Sequence, residues 1–381
     1  MSLINHPFAF VPKHNHEHKC KDVSVRLRDL WRCLENKRDL LFLVNVALEG
    51  LYGDMAQSVS MKQLANMACT ADGEHRYTSF QIPKKKRGEF RTIDAPVESL
   101  KYIQRALNSA LQAVYTPHPA AMGFVPGRSV VDNARVHVAQ RYIYNIDLKD
   151  FFPSISSGRV YARLTAKPFS LPSEVASLLC DLCCYTNREG RKVLPQGAPT
   201  SPTLSNLICE RMDRKLHKLA KAYGLRYTRY ADDITFCGNT YVFAPEGRFC
   251  VLLKHIVEEE EGFTINSAKT RLEHRGVRQE VTGVSVNHKP NVSRNYVRQL
   301  RTLLHNWEMN GHQKAQADFI DHYVETRNLQ WDGATRIENV IAGKLLYMKM
   351  VKGEIDPTYK RLKQRFDTLC PTKKKHKIKK I

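Results

Sequence analysis

The sequence predicts an α+β protein. Two observations carry this reading. Apolar residues recur at helical spacing toward both ends of the chain, and short runs rich in β-branched and aromatic residues, bounded by turn residues, fill the middle. The chain has 381 residues, enough for two or three packed units. No internal repeat is evident, and no long Ser/Gly linker separates independent domains.

Residues 1 to about 75 read as mainly helical, with Leu27, Leu30, Trp31, Leu34, Leu40, Leu41 and Val44 at roughly helical spacing and a stop between Gly50 and Asp54. From Tyr77 to Ile93 the period changes: YTSFQIP and GEFRTI read as two strands joined by the basic turn Lys84–Gly88. A helix is expected from about Val97 to Val114, then a Pro- and Gly-rich loop from Thr116 to Arg128 and a short helix near Ser129. YIYNIDL is a strand run. Pro172–Tyr185 reads as a helix, Gly190–Gly197 as a strand and turn, and Leu204–Tyr223 as a long helix carrying Met212, Leu216 and Leu219. LRYTRYADDITFCG reads as strand, tight turn, strand; Val251–Glu261 is helical, and EVTGVSVN is a further strand. Beyond Asn291 the chain is helical again, with Val297, Leu300, Leu303, Leu304 and Trp307 on one face. The end, PTKKKHKIKKI, holds six lysines and is expected to be a mobile basic tail.

Lysine and arginine number 60 against 38 aspartates and glutamates, a formal net charge of +22. A polyanionic partner is therefore expected, nucleic acid first; the plainer alternative is a solubilising surface. A membrane surface is disfavoured, because no long basic helix has a strong apolar face. The longest apolar stretch, Leu40–Leu48, is broken by Asn45 and is far shorter than the ~20 residues of a membrane span. The start has no long apolar signal core, so a cytoplasmic location is expected, with the ten cysteines mostly free thiols.

The chemistry concentrates in carboxylates. Asp232 and Asp233 lie between two apolar β-type runs and should project from a hairpin tip. Adjacent carboxylates repel there, and a divalent cation reverses the problem. Asp147 ends the run YIYNI; if its strand lies beside the hairpin, Asp147 and Asp232 face each other. Hard oxygen ligands suit Mg²⁺, and two such ions can run an in-line phosphoryl displacement. An isolated Asp-Asp pair would otherwise be an ordinary turn signal.

Flanking motifs decide against that plainer reading. Tyr230–Asp233 resembles the YxDD box of reverse transcriptases. Asp147–Ile155 (DLKDFFPSI) resembles their first catalytic-aspartate motif, and Pro195–Pro202 (PQGAPTSP) the motif before the long palm helix. Asn133-Ala134-Arg135-Val136-His137 is similar to the NAxxH signature of retron reverse transcriptases, and Val281-Thr282-Gly283 to their VTG triplet. Ile82-Pro83-Lys84 with Arg91–Pro96, and Gly123-Phe124 with Gly127-Arg128-Ser129, fit the same group. The resemblance covers roughly Ile82 to Asn287, and the helical end more loosely.

The resemblance implies a right-hand polymerase: an N-terminal helical region (1–75), fingers (76–140 and 156–203), palm (141–155 and 204–290), a helical thumb and RNA-recognition region (291–370) and the basic tail (371–381). It implies RNA-directed DNA synthesis with two Mg²⁺ ions on Asp147, Asp232 and Asp233, and Lys269 as the lysine that protonates pyrophosphate, a solvated lysine being the alternative. Arg91 and a lysine of the Lys84–Lys86 run are expected on the triphosphate, Gln196 and Gly197 in the nucleotide pocket, and Phe152 as a steric gate against ribonucleotides. Asp150 is expected to be structural. RNA contacts are expected at Arg128, Asn133, His137, Arg294, Arg298 and Arg301, and a primer-grip strand at Val281–Val286. The implied partners are dNTPs, a cognate structured non-coding RNA with its DNA product, and an effector protein in anti-phage defence, with priming from an internal 2′-hydroxyl to give branched RNA–DNA (msDNA). Alternatives are an intron-encoded or diversity-generating reverse transcriptase, or an RNA-binding protein without activity. Cys180, Cys183 and Cys184 read as small buried residues, and His14, His16, His18 and Cys20 as an exposed polar segment.

Overall fold

The computed structural model describes residues 16–69, 76–83, 88–327 and 333–371, without side chains for 16–21 and 323–327. Lys84, His14 and the lysines of the tail lie outside what it describes; His16, His18 and Cys20 fall on the first helix with their side chains undescribed.

The chain begins with α1 (His16–Arg32), α2 (Lys37–Tyr52) and α3 (Met61–Ala68), followed by the hairpin of β1 (Tyr77–Pro83) and β2 (Phe90–Pro96) and by α4 (Glu98–Val114). α5 (Val130–Val136) leads into β3 (Tyr142–Asp147). Next come α6 (Ser157–Thr165), α7 (Ser173–Cys183) and two short paired strands, β4 (Tyr185–Thr186) and β5 (Lys192–Val193). α8 (Ser201–Ala222) precedes β6 (Arg226–Tyr230) and β7 (Asp233–Gly238). α9 (Arg248–Lys254) runs on as a π-helical turn over His255–Glu260. The chain closes with β8 (Arg271–His274), β9 (Glu280–Val281), β10 (Val284–Ser285), α10 (Arg294–Arg327), α11 (Ile337–Lys352) and α12 (Pro357–Leu369). The mixture of helices with antiparallel sheets is the α+β class expected.

Two compact units emerge, one of residues 1–82, 91–119 and 149–214, the other of 83–90, 120–148 and 215–381. In the first, α2 and α3 start at capping boxes, Asn36 with Asp39 and Ser60 with Gln63, which satisfy the otherwise orphaned N–H groups of the first turn. α1, α2 and α4 pack on one another, and α4 buries Leu100, Ile103, Leu107 and Leu111 at helical spacing. Cys180, Cys183 and Cys184 are buried, and burial pushes the Cys180 thiol up to about 11.

The second unit is built on a four-stranded antiparallel sheet in the order β6-β7-β3-β8. Ile143 and Ile146 of β3 and Ile234 and Phe236 of β7 are fully buried or nearly so, which explains why β3 and β7 take the two inner places. The expected continuous strand EVTGVSVN is instead a tight hairpin: Val281 pairs with Val284 across Thr282 (φ 46°) and Gly283 (φ 82°). Two successive positive φ values make the type I′ geometry that suits strand twist, and glycine is the residue that admits it without steric cost. α10 is broken at Gly311, whose φ of 75° is not helical. Its Leu300, Leu304 and Trp307 join Val131 and Ala134 of α5, Val281 and Val284 of the hairpin, and Ile341, Leu345 and Met348 of α11 in one apolar core. No described helix is long and apolar enough to cross a membrane.

Leu304 is fully buried in this core, so Leu304→Ala is expected to lower stability by about 2–5 kcal/mol. Urea unfolding should show a lower midpoint with an unchanged slope.

Candidate active site

The site begins with strand register. β3 and β7 pair so that Asp147 lies opposite Asp233, and Leu148 N–H donates to the Asp232 carbonyl at 3.1 Å. The direct cross-strand partner of Asp147 is thus Asp233, with Asp232 one residue away in the turn. That turn is tight, since Tyr230 pairs with Asp233, leaving Ala231 (φ 58°) and Asp232 at its tip. The segment Ala120–Gly123 clamps it from outside. Arg229 N–H donates to Ala120 O at 2.8 Å, and Met122 N–H donates to Arg229 O at 2.7 Å. The fully buried Arg229 guanidinium donates back to Ala231 O at 3.1 Å. Gly123 approaches so closely that a Cβ there would meet the Ala231 nitrogen at 2.6 Å, which accounts for a glycine at this place.

Three carboxylates therefore share one end of the sheet. Removal from water, then the charges of Asp232 and Asp147, push the Asp233 carboxyl up to about 6. Asp147 is nearly buried, and both its oxygens accept from Lys269 Nζ at 2.9 Å. Asn266 Nδ2 donates to the same carboxylate at 3.1 Å, and Asn266 N–H donates to the Asp147 carbonyl at 2.8 Å. Lys269 was expected from sequence; Asn266 was not, although it starts the NSAKT turn that presents the lysine.

Among the described residues, no group of three or more His, Cys, Asp or Glu side chains stands arranged around a cation position. The donor set nonetheless fits a hard divalent ion. It is all oxygen, Asp233 is raised by burial first and then by the two neighbouring carboxylates, and Asp147 already holds one cation, the Lys269 ammonium.

Other expected nucleotide contacts lie in the first unit. Gln196 O accepts from Asp94 N–H at 2.9 Å, which ties the PQG loop to β2. Gly197 has φ 144°, and a Cβ there would sit 3.0 Å from Asp94 O. Asp94 is itself held by Ser79 Oγ at 2.6 Å and Tyr185 OH at 2.7 Å. Arg91 is exposed on β2, and Phe152 is half-buried with its ring 5.4 Å from that of Phe151. Asp150 is exposed, and its carbonyl accepts from Ser154 N–H at 2.9 Å.

The expected RNA contacts divide into two groups. Arg294, Arg298 and Arg301 are exposed along the first turns of α10. Arg128 is half-buried and donates to the Ala121 carbonyl beside the clamp. Asn133 and His137, in contrast, are 1% and 0% exposed, so their side chains do not meet RNA in this arrangement. They belong to a buried chain of hydrogen bonds instead. Thr228 Oγ1 donates to Asn133 Oδ1 at 2.6 Å, so its hydrogen is used and His137 Nε2–H must be the donor in the 2.7 Å contact with Thr228. His137 Nδ1 is then the acceptor, 3.0 Å from Cys237 Sγ. Asn133 Nδ2 donates onward to Thr282 Oγ1 at 3.4 Å, and Thr282 Oγ1 to Val130 O at 3.4 Å. The NAxxH and VTG segments thus meet inside the fold, and their polar atoms position α5 against the hairpin. Burial, then the nearby Arg226 charge, pushes the His137 imidazole down to about 3, in keeping with a neutral ring. Thr228 escaped the sequence reading; the signal was its place as a polar residue among inward-facing positions of RYTRY.

A family profile described as Reverse transcriptase (RNA-dependent DNA polymerase) matches residues 82–316, more than half of the chain. The retron Mx65 reverse transcriptase of Myxococcus xanthus is 41% identical over 242 residues, which is 60% of this chain and 55% of that protein. The retron Mx162 reverse transcriptase of the same organism is 38% identical, over 68% of this chain and 58% of its own length. The retron Ec86 reverse transcriptase of Escherichia coli is 32% identical, over 66% of this chain and 75% of its own length. The chain belongs to the retron-type reverse transcriptases. It spans little more than half the length of the two Myxococcus relatives. A solved telomerase from Candida albicans superposes with a TM-score of 0.39 at 13% identity, covering 77% of this chain and 66% of that one.

The buried histidine gives a pH prediction. An unfolded histidine takes its proton near pH 6.5, whereas folded His137 resists until about 3. Acidification through that window therefore favours the unfolded chain, by about 1.4 kcal/mol per pH unit. His137→Gln is expected to be less stable at pH 7 yet to lose less stability on further acidification. Melting temperatures measured from pH 7 to 5 check this; parallel curves for the two proteins would refute the assignment.

Proposed function

We propose that this protein is an RNA-directed DNA polymerase acting on a structured non-coding RNA, with the sheet of the second unit serving as a polymerase palm. One observation carries the reading: Asp147 meets the Tyr230–Asp233 turn across paired strands, in a chain of the reverse transcriptase family. Fingers and helical thumb, at the boundaries given above, complete the hand.

In the proposed reaction the oxygen of a nucleic-acid hydroxyl attacks the α-phosphorus of a bound dNTP. The new phosphodiester bond forms as the bond to the β-phosphate oxygen breaks, the proton of the attacking hydroxyl passes to solvent water, and pyrophosphate leaves. Asp147, Asp232 and Asp233 would hold two Mg²⁺ ions, which when bound supply activation of the attacking hydroxyl and neutralisation of the triphosphate. Lys269 gives its proton to the departing pyrophosphate, and Asn266 keeps the Asp147 carboxylate oriented. Arg91 forks two phosphate oxygens and Lys84 assists. The backbone of Gln196 and Gly197 lines the nucleotide pocket. Phe152 excludes a ribose 2′-hydroxyl by bulk rather than by a hydrogen bond. Arg128, Arg294, Arg298 and Arg301 contact the RNA backbone, while Asn133 and His137 act on that interface by positioning α5.

By likeness to the retron relatives, synthesis starts from an internal 2′-hydroxyl of the template RNA and leaves branched RNA–DNA. The cell uses this product in anti-phage defence with an effector protein, in the cytoplasm.

Extension of a primed RNA template with dNTPs and Mg²⁺ tests the core of the proposal. Asp232→Asn combined with Asp233→Asn should reduce product by at least about a thousandfold, since an electrostatic centre of this kind supplies several kcal/mol to the transition state. Equal DNA yield from the two proteins would remove the polymerase reading. Phe152→Ala should raise ribonucleotide incorporation relative to dNTP, measured as a ratio of kcat/KM values. An unchanged ratio would show that Phe152 is not the gate.

A further inference from the structure

At the end of the sheet remote from the carboxylates lies an open groove of about 480 Å³, lined by Arg141, Tyr142, Tyr241, Leu272, His274 and Arg275. Its floor is rigid. Tyr142 opens the inner strand β3 and pairs with Gly238 of β7 on one side and His274 of β8 on the other. Arg275 N–H donates to Arg141 O at 2.9 Å, and Arg141 N–H donates to Asn239 Oδ1 at 3.1 Å. Five residue steps of β3 separate Tyr142 from Asp147, about 17 Å at ~3.3 Å per step.

The lining has a definite chemistry. The Tyr241 ring stands edge-on to Tyr142 with centroids 5.6 Å apart and is 52% exposed, a large aromatic surface left to solvent. Arg141 lies over the Tyr142 ring, its guanidinium carbon 5.4 Å from the centroid. Among the described residues no carboxylate pairs with Arg141 or Arg275, and none lines the groove. His274 Nδ1 accepts from Gly276 N–H at 3.1 Å, so a neutral ring carries its hydrogen on Nε2, as a donor. Exposed aromatic rings among unpaired cations on a fixed backbone are the recurring means of holding an unpaired strand: bases stack on rings and phosphates meet cations.

We propose that this groove binds a single-stranded stretch of RNA, with a base stacked on Tyr241 and the adjoining phosphates held by Arg141, Arg275 and His274 Nε2–H. The choice of RNA rests on the function proposed above, in which a structured RNA far larger than the catalytic centre has to be held on the enzyme. The groove would anchor an unpaired segment of that RNA on the same sheet that carries the carboxylates, but at its opposite end.

The test uses the full chain and an oligouridylate of about ten nucleotides, a length within the range that one such surface accommodates. With 5-iodouridine in the strand, irradiation should cross-link it to Tyr241 or Tyr142, located by mass spectrometry. Fluorescence anisotropy should show Tyr241→Ala weakening binding by about five- to a hundredfold, the range that stacking of one base supports. Tyr241→Phe should restore it, because a ring and not the hydroxyl does the holding. Unchanged binding by Tyr241→Ala with no cross-link at either tyrosine would overturn the site. Equal binding of an oligodeoxyuridylate at the same tyrosines would overturn the choice of RNA, and equally effective competition by polyglutamate would overturn stacking in favour of bare charge. The polymerase reading is tested separately: Tyr241→Ala should extend a short primed template at the wild-type rate, whereas the protein with Asp232→Asn and Asp233→Asn should bind the oligouridylate as wild type does.

Discussion

The antiparallel register of β3 against β7 is the constraint from which the rest follows. It runs without a break from Tyr142 opposite Gly238 to Asp147 opposite Asp233. Side chains alternate between the faces of a sheet, so a slip by one residue would carry Asp147 to the other face and bury the wrong set of side chains. Ile143, Ile146, Ile234 and Phe236 oppose such a slip because each is buried in the present register. The carboxylates thus meet because apolar residues further along the same strands cannot be rearranged. The Ala120–Gly123 clamp then holds the turn in place through backbone hydrogen bonds that no side-chain substitution removes directly.

Against that backbone the electrostatics are unfavourable by construction. Three acids crowd one strand end, and burial, then the charges of Asp232 and Asp147, raise the Asp233 carboxyl to about 6. Lys269 and Asn266 relieve Asp147 alone. The chain as a whole carries a net charge of +22, a balance suited to attracting a polyanion.

A second polar assembly works in the opposite sense. The chain from Cys237 through His137, Thr228 and Asn133 is buried, continues through half-buried Thr282 to Val130, and has every hydrogen directed one way. A satisfied buried network rigidifies what it joins, because each broken link strands a donor or acceptor in a low-dielectric interior. It joins the sheet to α5 and to the Thr282–Gly283 turn, and the same turn borders the apolar core that includes α10 and α11. Two short motifs some 150 residues apart in sequence are thereby parts of one support.

Much of this was legible in the sequence. The hairpin at Tyr230–Asp233, the strand ending in Asp147, the helical blocks at both ends and the apolar face of Leu300, Leu304 and Trp307 all rest on local periodicity and turn chemistry, which a few consecutive residues express. The motifs that mark the reverse transcriptase family are likewise local strings. The β8 strand RLEH, the hold of Asn266 on Asp147, the burial of Asn133 and His137 and the groove around Tyr241 were decided only in three dimensions. Each depends on which distant segment packs alongside, and a polar residue reads the same in sequence whether its hydrogen bonds end in solvent or in the interior. Burial and partnership are properties of the folded neighbourhood, and for this protein that neighbourhood was set by the pairing of strands far apart in the chain.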